Sequence, residues 1–142
     1  MTPEQRTIVQ STVMVVERES DQFSTVLFDR LFALDDAIRT LFPADITQQR
    51  TQLVDGLSFF AATIGDLPTF IEHARRLGAR HHRYGVGPEY FGLMERALLE
   101  ALRSVLGDDF TDDVERAWRC LYRLIAETML EGSAGELFGS PR

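Results

Sequence analysis

Apolar side chains recur at steps of three and four residues along nearly the whole chain, and no stretch alternates with a period of two. Such spacing gathers apolar groups on one face of successive helices and leaves no half-buried strand from which to build a sheet. Thr2-Pro3-Glu4-Gln5 predicts a helix start, with a threonine N-cap, a proline at the first helical position and a glutamine completing a capping box. Ile8, Val9, Thr12 and Val16 then share a face. A second helix is expected near Ser20 and Asp21, carrying Phe23, Val26, Leu27, Leu31 and Leu34. "ALDDAIRTLFPAD" reads as one short helical turn and a corner, because Pro43 excludes helix through Phe42.

Asp45 with Gln48 offers a second capping box, ahead of a helix bearing Leu53, Leu57, Phe60, Ala61 and Ile64. "GDLP" ends it. The next helix opens at Pro68 and aligns Phe70, Ala74, Leu77 and His81 at offsets of four, seven and eleven. "GVGP" breaks that helix, and Pro88 opens a long one through Phe91, Met94, Leu98, Leu102 and Val105. Thr111 is the expected N-cap of a final helix with Val114, Ala117, Trp118, Leu121, Ile125 and Met129. The tail from about residue 133 is expected to fray. The expectation is one all-α domain over residues 1–142, with six substantial helices and one or two short ones. Periodicity alone leaves other helical bundles open.

Composition narrows the function classes. The 142 residues carry a net charge of −7, and the one basic cluster, "RRLGARHHR", is too short to supply the concentrated positive face that a phosphate backbone requires. No nucleic-acid partner is expected. No apolar run approaches membrane-spanning length and "MTPEQRTIVQ" lacks a signal pattern, so no membrane association and a cytoplasmic location are expected. A single cysteine, Cys120, excludes an internal disulfide and any multi-cysteine zinc or iron–sulfur site. A lone cysteine on a helix reads as core filler.

Three histidines remain. His81 falls on the apolar face defined by Phe70, Ala74 and Leu77, whereas His82 lies ~100° further round the helix towards its charged side. His73 also sits off the apolar stripe, and both it and His82 read as solvated. Adjacent histidines point apart, so the pair does not form the i, i+4 face of a zinc site. His81 has two readings: a core histidine satisfied by a backbone carbonyl, or an axial ligand to haem, a large apolar disc whose iron takes a neutral imidazole in a slot between helices.

The segments "FDRLFALDDAIRTLFP", "RLGARHHRYGVGPEYF", "LLEALRSVLGDDFTDDVERAW" and "YRLIAETM", in this order and spacing, resemble a bacterial single-domain globin of the type that also forms the N-terminal domain of flavohaemoglobins. The resemblance runs from about Pro3 to Gly132. It implies a globin fold around haem b (iron protoporphyrin IX). It makes His81, within Arg80-His81-x-x-Tyr84-Gly85-Val86, the iron ligand, and Phe42 the ring that packs on the haem. Gln49 becomes the distal residue over the open face of the iron, with apolar Leu53 one turn later. Val86, Phe91 and Met94 become haem-edge contacts, and Leu77 and Ile125 line the proximal side. Arg50, Arg80 and Arg83 are candidate propionate partners.

Departures from the family pattern carry functional weight. Phe28 stands where these globins usually have a tyrosine that donates to the bound gas. Phe91 and Ser133 stand where a tyrosine and a glutamate cooperate with the proximal histidine; Glu131 lies near but is expected to project differently. The imidazole's second nitrogen is therefore expected to bond a backbone carbonyl near Leu77. The resemblance implies reversible binding of dioxygen, carbon monoxide or nitric oxide, for delivery, buffering or nitric oxide detoxification. No flavin or nicotinamide region is expected in the chain, so turnover as a nitric oxide dioxygenase would need a separate reductase. A second reading is a redox or gas sensor, or an electron-transfer protein, acting through a partner surface near Trp118 and Tyr122. A third is a haem-free helical protein. A homodimer is compatible with the resemblance.

Overall fold

A computed structural model describes the backbone of residues 1–83 and 85–137, and the side chains of those residues through Glu131. Tyr84, the side chain of Ser133 and residues 138–142 lie outside the described residues. The described chain forms α1 (Pro3–Arg18), α2 (Ser20–Leu34), α3 (Asp36–Arg39), α4 (Thr47–Thr63), α5 (Leu67–Arg83), α6 (Phe91–Leu106) and α7 (Asp112–Leu137), with 3-10 turns at Pro88–Tyr90 and Gly107–Asp109. It contains no strand. The six long helices and the single short turn match the periodicity. Helix α7 continues to Leu137, past the expected onset of fraying.

The local signals act as their chemistry dictates, with one correction. At α1 the Gln5 N–H donates to Thr2 Oγ1 at 3.1 Å and the Thr2 N–H donates to Gln5 Oε1 at 2.9 Å, a complete capping box. Thr111 Oγ1 accepts from the Val114 N–H at the start of α7. Asp45 does not box with Gln48. It lies one residue before the N-cap, Ile46, and its short carboxylate reaches the Thr47 N–H (3.0 Å) and hydroxyl (2.7 Å) instead. Pro88 opens a 3-10 turn, and α6 proper begins at Phe91.

One hydrophobic core runs through the helices, with Trp118, Phe23, Phe70, Leu27, Leu98, Leu102 and Leu121 among its fully buried side chains. Trp118 takes the core place that its apolar helix face predicts, so it offers no surface to a partner. Trp118 is wholly buried, and its indole N–H donates to Thr12 Oγ1 at 2.7 Å, because a buried indole needs an acceptor. Helix α5 packs along α7, α2 packs against α6, and α4 rests on α1 and α2. Helices α4 and α5 touch each other only sparsely. They are held by different neighbours.

Gly78 sets how closely α5 approaches α7. A Cβ added there would lie 2.0 Å from the Met129 carbonyl oxygen, a backbone atom that cannot turn aside. Gly78→Ala is therefore expected to destabilise the protein by about 1–3 kcal/mol, although alanine is the better helix former by ~1 kcal/mol. Urea denaturation would measure this; a neutral or stabilising substitution would contradict the packing described.

Candidate functional site

His81 occupies the last turn of α5 and is half-buried. Its Nδ1 lies 2.8 Å from the Leu77 carbonyl oxygen. A carbonyl can only accept, so Nδ1 carries the hydrogen, and in the neutral ring Nε2 keeps its lone pair. Burial holds the imidazole below its ordinary pKa; the Leu77 bond opposes this, and the Arg80 charge adds to it. The ring is thus held neutral. This is the carbonyl contact expected from the sequence, and it is compatible with a ligand role because it leaves the other nitrogen free.

The end of α5 is equally determined. Val86 N–H donates to the His81 carbonyl and Gly85 N–H to the His82 carbonyl, each at 3.0 Å, and Gly85 has φ of +85°. This is a Schellman cap, which requires a left-handed residue that glycine adopts without strain. The basic residues of "ARHHR" sit at this C-terminus, where the helix dipole favours cations. His73 departs from expectation: its ring is half-buried, 4.3 Å from Phe59 and 5.2 Å from Phe60 between ring centroids. It helps close the α4–α5 junction rather than facing water.

On the α4 side, Gln49 is half-buried while Gln48 and Gln52 are exposed. Its Oε1 is buried with no hydrogen-bond partner. Leu53, one turn on, is half-buried. Phe28 is buried and meets Phe42 edge to face at 5.6 Å, and Phe32 joins both at 5.8 and 5.4 Å. Phe42, Leu53, Leu77, Phe91 and Met94 pack against the core with part of their surface uncovered, and Val86 is also half-buried. Ile125 is buried in α7. The Tyr122 hydroxyl donates to the Phe91 carbonyl at 2.8 Å and so ties the start of α6 to α7. Burial, and then the Glu95 charge, push this phenol well above its ordinary pKa.

Arg50 is not disposed toward the cleft mouth as a propionate partner. Its Nε and Nη2 are engaged by Asp21, Ser24 and Thr25 of α2. Arg80 is exposed on α5 beside His81. Glu131 faces outward to Arg75, 3.4 Å away, as expected. Sequence reasoning overlooked Phe32, Arg39, Gly78 and the Tyr122–Phe91 bond. A phenylalanine four residues after Phe28 and a glycine inside a helical pattern are signals that could have exposed two of them.

The chain is thus a helical protein in which an imidazole on α5 keeps one nitrogen free and a glutamine on α4 has a buried oxygen without a partner. A family model for globins matches residues 25–129, and the chain belongs to the globin family. It is 29% identical over 126 residues to the flavohemoprotein of Bacillus subtilis, covering 87% of this chain and 32% of that protein. The chain spans about a third of the length of the flavohemoproteins it matches. Among solved structures, a protein of Rhodothermus marinus engineered as a carbene transferase superposes with a TM-score of 0.85 at 25% identity, covering 94% of each chain. A bacterial globin of Campylobacter jejuni shares the fold at a TM-score of 0.85 and 19% identity, covering 98% of this chain and 100% of that one.

The residues present fit a haem. Large apolar side chains are left partly uncovered, an imidazole nitrogen on α5 keeps its lone pair, and an amide oxygen on α4 is orphaned. Among the described residues there is no cluster of three or more His, Cys, Asp or Glu that could hold a metal ion by side chains alone. No helix among them is long and apolar enough to cross a membrane.

The site predicts a pH dependence. Burial foremost, then Arg80 and Arg76, hold His73 below its ordinary pKa of 6.5 in the folded protein. The unfolded chain therefore takes up this proton first as pH falls. The stabilisation is present above about pH 6.5 and is lost below it. Thermal unfolding from about pH 7.5 to 5 should show Tm falling with pH, and less steeply for His73→Phe. Equal slopes would remove His73 from the explanation.

Proposed function

We propose that this globin binds haem b in the α4–α5 cleft, with His81 Nε2 as the axial ligand, and that it binds dioxygen, carbon monoxide or nitric oxide reversibly on the Gln49 side. The observation that carries this reading is the His81 Nδ1–Leu77 carbonyl contact, which leaves Nε2 with a lone pair free to coordinate. When bound, haem would supply an iron able to take up a diatomic gas. His81 orients and holds that iron, and Phe42 wedges the disc. Leu53, Leu77, Val86, Phe91, Met94 and Ile125 keep water out. Gln49 presents the amide from which a polarised gas can accept a hydrogen bond, since rotating the amide brings its NH2 to the place of its orphaned oxygen.

The bond to Leu77 is neutral. A carboxylate partner would raise imidazole basicity, so this ligand donates less electron density than a carboxylate-paired one. Phe28 fills space without donating. A hydrogen bond to a charged group contributes ~1.5–3 kcal/mol, so a pocket with Gln49 alone releases dioxygen faster than one that also carries a tyrosine. These features favour gas binding, delivery or buffering over a self-contained oxygenase. Nitric oxide dioxygenation would draw electrons from a separate reductase, and the flavohemoproteins it resembles motivate that activity as the enzymatic version of the proposal.

Optical spectra test the reading. Purified protein made with ample haem should show a Soret band that shifts with carbon monoxide. His81→Gly should lose normal coordination, while His82→Ala should retain it; the reverse outcome, or colourless protein, would sink the assignment. In stopped-flow measurements Phe28→Tyr should slow dioxygen release roughly tenfold, the equivalent of ~1.4 kcal/mol. An unchanged rate would show that Phe28 does not face the gas.

A further inference from the structure

The corner between α3 and α4 carries Phe42 and leads directly into Gln49, yet it has little to hold its shape. After the bond from the Phe42 N–H to the Arg39 carbonyl (3.2 Å), no backbone hydrogen bond forms within the corner before α4. The first turn of α4 has no side-chain cap on its N-cap, Ile46. Backbone carbonyls left in this state need donors from elsewhere.

Two arginines supply the missing restraint. Arg39 donates from Nη1 to the Pro43 carbonyl (2.8 Å) and the Phe42 carbonyl (3.4 Å), and from Nη2 to the Ala44 carbonyl (2.9 Å). Its guanidinium also lies over Phe32, 5.0 Å from the ring centroid, and Phe32 packs on Phe42. Arg50, the neighbour of Gln49, donates from Nε to Ser24 Oγ (3.0 Å). Its Nη2 donates to the Asp21 carbonyl (3.1 Å), Asp21 Oδ1 (2.5 Å) and Thr25 Oγ1 (2.7 Å). Ser24 is buried and stands one helical turn before Phe28 on the same face of α2.

We propose that Arg39 and Arg50 are positioning residues for the gas side of the cleft: Arg39 fixes Phe42 through the corner carbonyls and Phe32, and Arg50 fixes Gln49 by pinning the first turn of α4 to α2. The two clamps make Phe28, Phe42 and Gln49 one unit, so the polarity and width offered to a gas depend on planar, multidentate donors. Lysine, a point charge on a flexible stem, cannot reproduce either fork. The inference rests on the proposed haem site and extends it to residues that touch neither the haem nor the gas.

The test compares unaltered protein with Arg50→Met, Arg50→Lys, Ser24→Ala and Arg39→Met, each also in a Gln49→Leu background. Hydrogen exchange over residues 41–57, in haem-free and haem-loaded protein, reads the restraint directly. Arg50→Met should speed exchange of the first turns of α4 roughly tenfold, and Arg39→Met should do the same in the corner. In haem-loaded protein exposed to carbon monoxide, the C–O stretching frequency and the association rate read what Gln49 presents. Arg50→Met should shift the frequency and change the rate about threefold or more, Arg50→Lys nearly as much, and Ser24→Ala in the same direction with Tm little changed.

Both effects of Arg50→Met should vanish when Gln49 is already leucine, because the arginine acts through the amide. Effects that persist in that background, or an Arg50→Met protein matching the unaltered one in exchange, frequency and rate, would overturn the proposal. Haem-free protein that takes up no haem, yet shows the exchange differences, would instead overturn the haem site and leave the clamp standing.

Discussion

The approach of α5 to α7 at Gly78 is the contact on which the rest of the site depends. With no side chain at that position, the Met129 carbonyl sits where a Cβ would be, and the two helices lie nearer than any other residue would permit. His81 is three residues further along α5, so its depth is set by that crossing. Its rotation is set by the Leu77 carbonyl one turn back, and the helix end is locked by the Schellman cap at Gly85. Position, tautomer and termination of the histidine-bearing turn thus follow from two glycines and one bond from the imidazole to a backbone carbonyl.

The opposite wall is built on another logic. Helix α4 does not press closely on α5 and enters from an irregular corner, so side chains supply the precision that backbone packing gives α5. Arg39 and Arg50 spend their donors on carbonyls and hydroxyls of the protein, and a cluster of three phenylalanines fills the space behind them. One wall is fixed by exclusion of a side chain, the other by long side chains reaching across. A side-chain restraint can be loosened one bond at a time, whereas a glycine crossing tolerates almost nothing.

Much of this was legible in the sequence for a definite reason. Helical period, caps and Pro/Gly breaks are local, and they gave the six long helices, the short turn before Pro43 and the inward phase of His81. The same phase separates Gln49 from exposed Gln48 and Gln52. Long-range polar contacts leave no period. Nothing in "AIRTLFPAD" says that Arg39 turns back on its own corner, and nothing in "QQRTQ" points Arg50 toward Ser24, so the latter read as a propionate partner. Trp118 falls on the core face that its period predicts, but its acceptor, Thr12, lies at the far end of the chain and leaves no local signal. His73 read as solvated because its aromatic neighbours belong to the preceding helix. Asp45 failed as a capping box by one residue of register.

The polar economy of the cleft leads to the same place from another side. An interior normally satisfies its polar atoms, since a buried unpaired acceptor costs ~1–3 kcal/mol. Here the carbonyls of the corner are met by Arg39, the Phe91 carbonyl by Tyr122 and the Leu77 carbonyl by His81, while Gln49 Oε1 is left unmet. Five carbonyls are thus satisfied while one adjustable amide is not, which concentrates the remaining hydrogen-bonding capacity at a single point. In the proposed gas site Phe28 would contribute only bulk, and discrimination between gases would fall to that amide: a strongly polarised gas would gain a hydrogen bond there, and a weakly polarised one little more than the room it occupies.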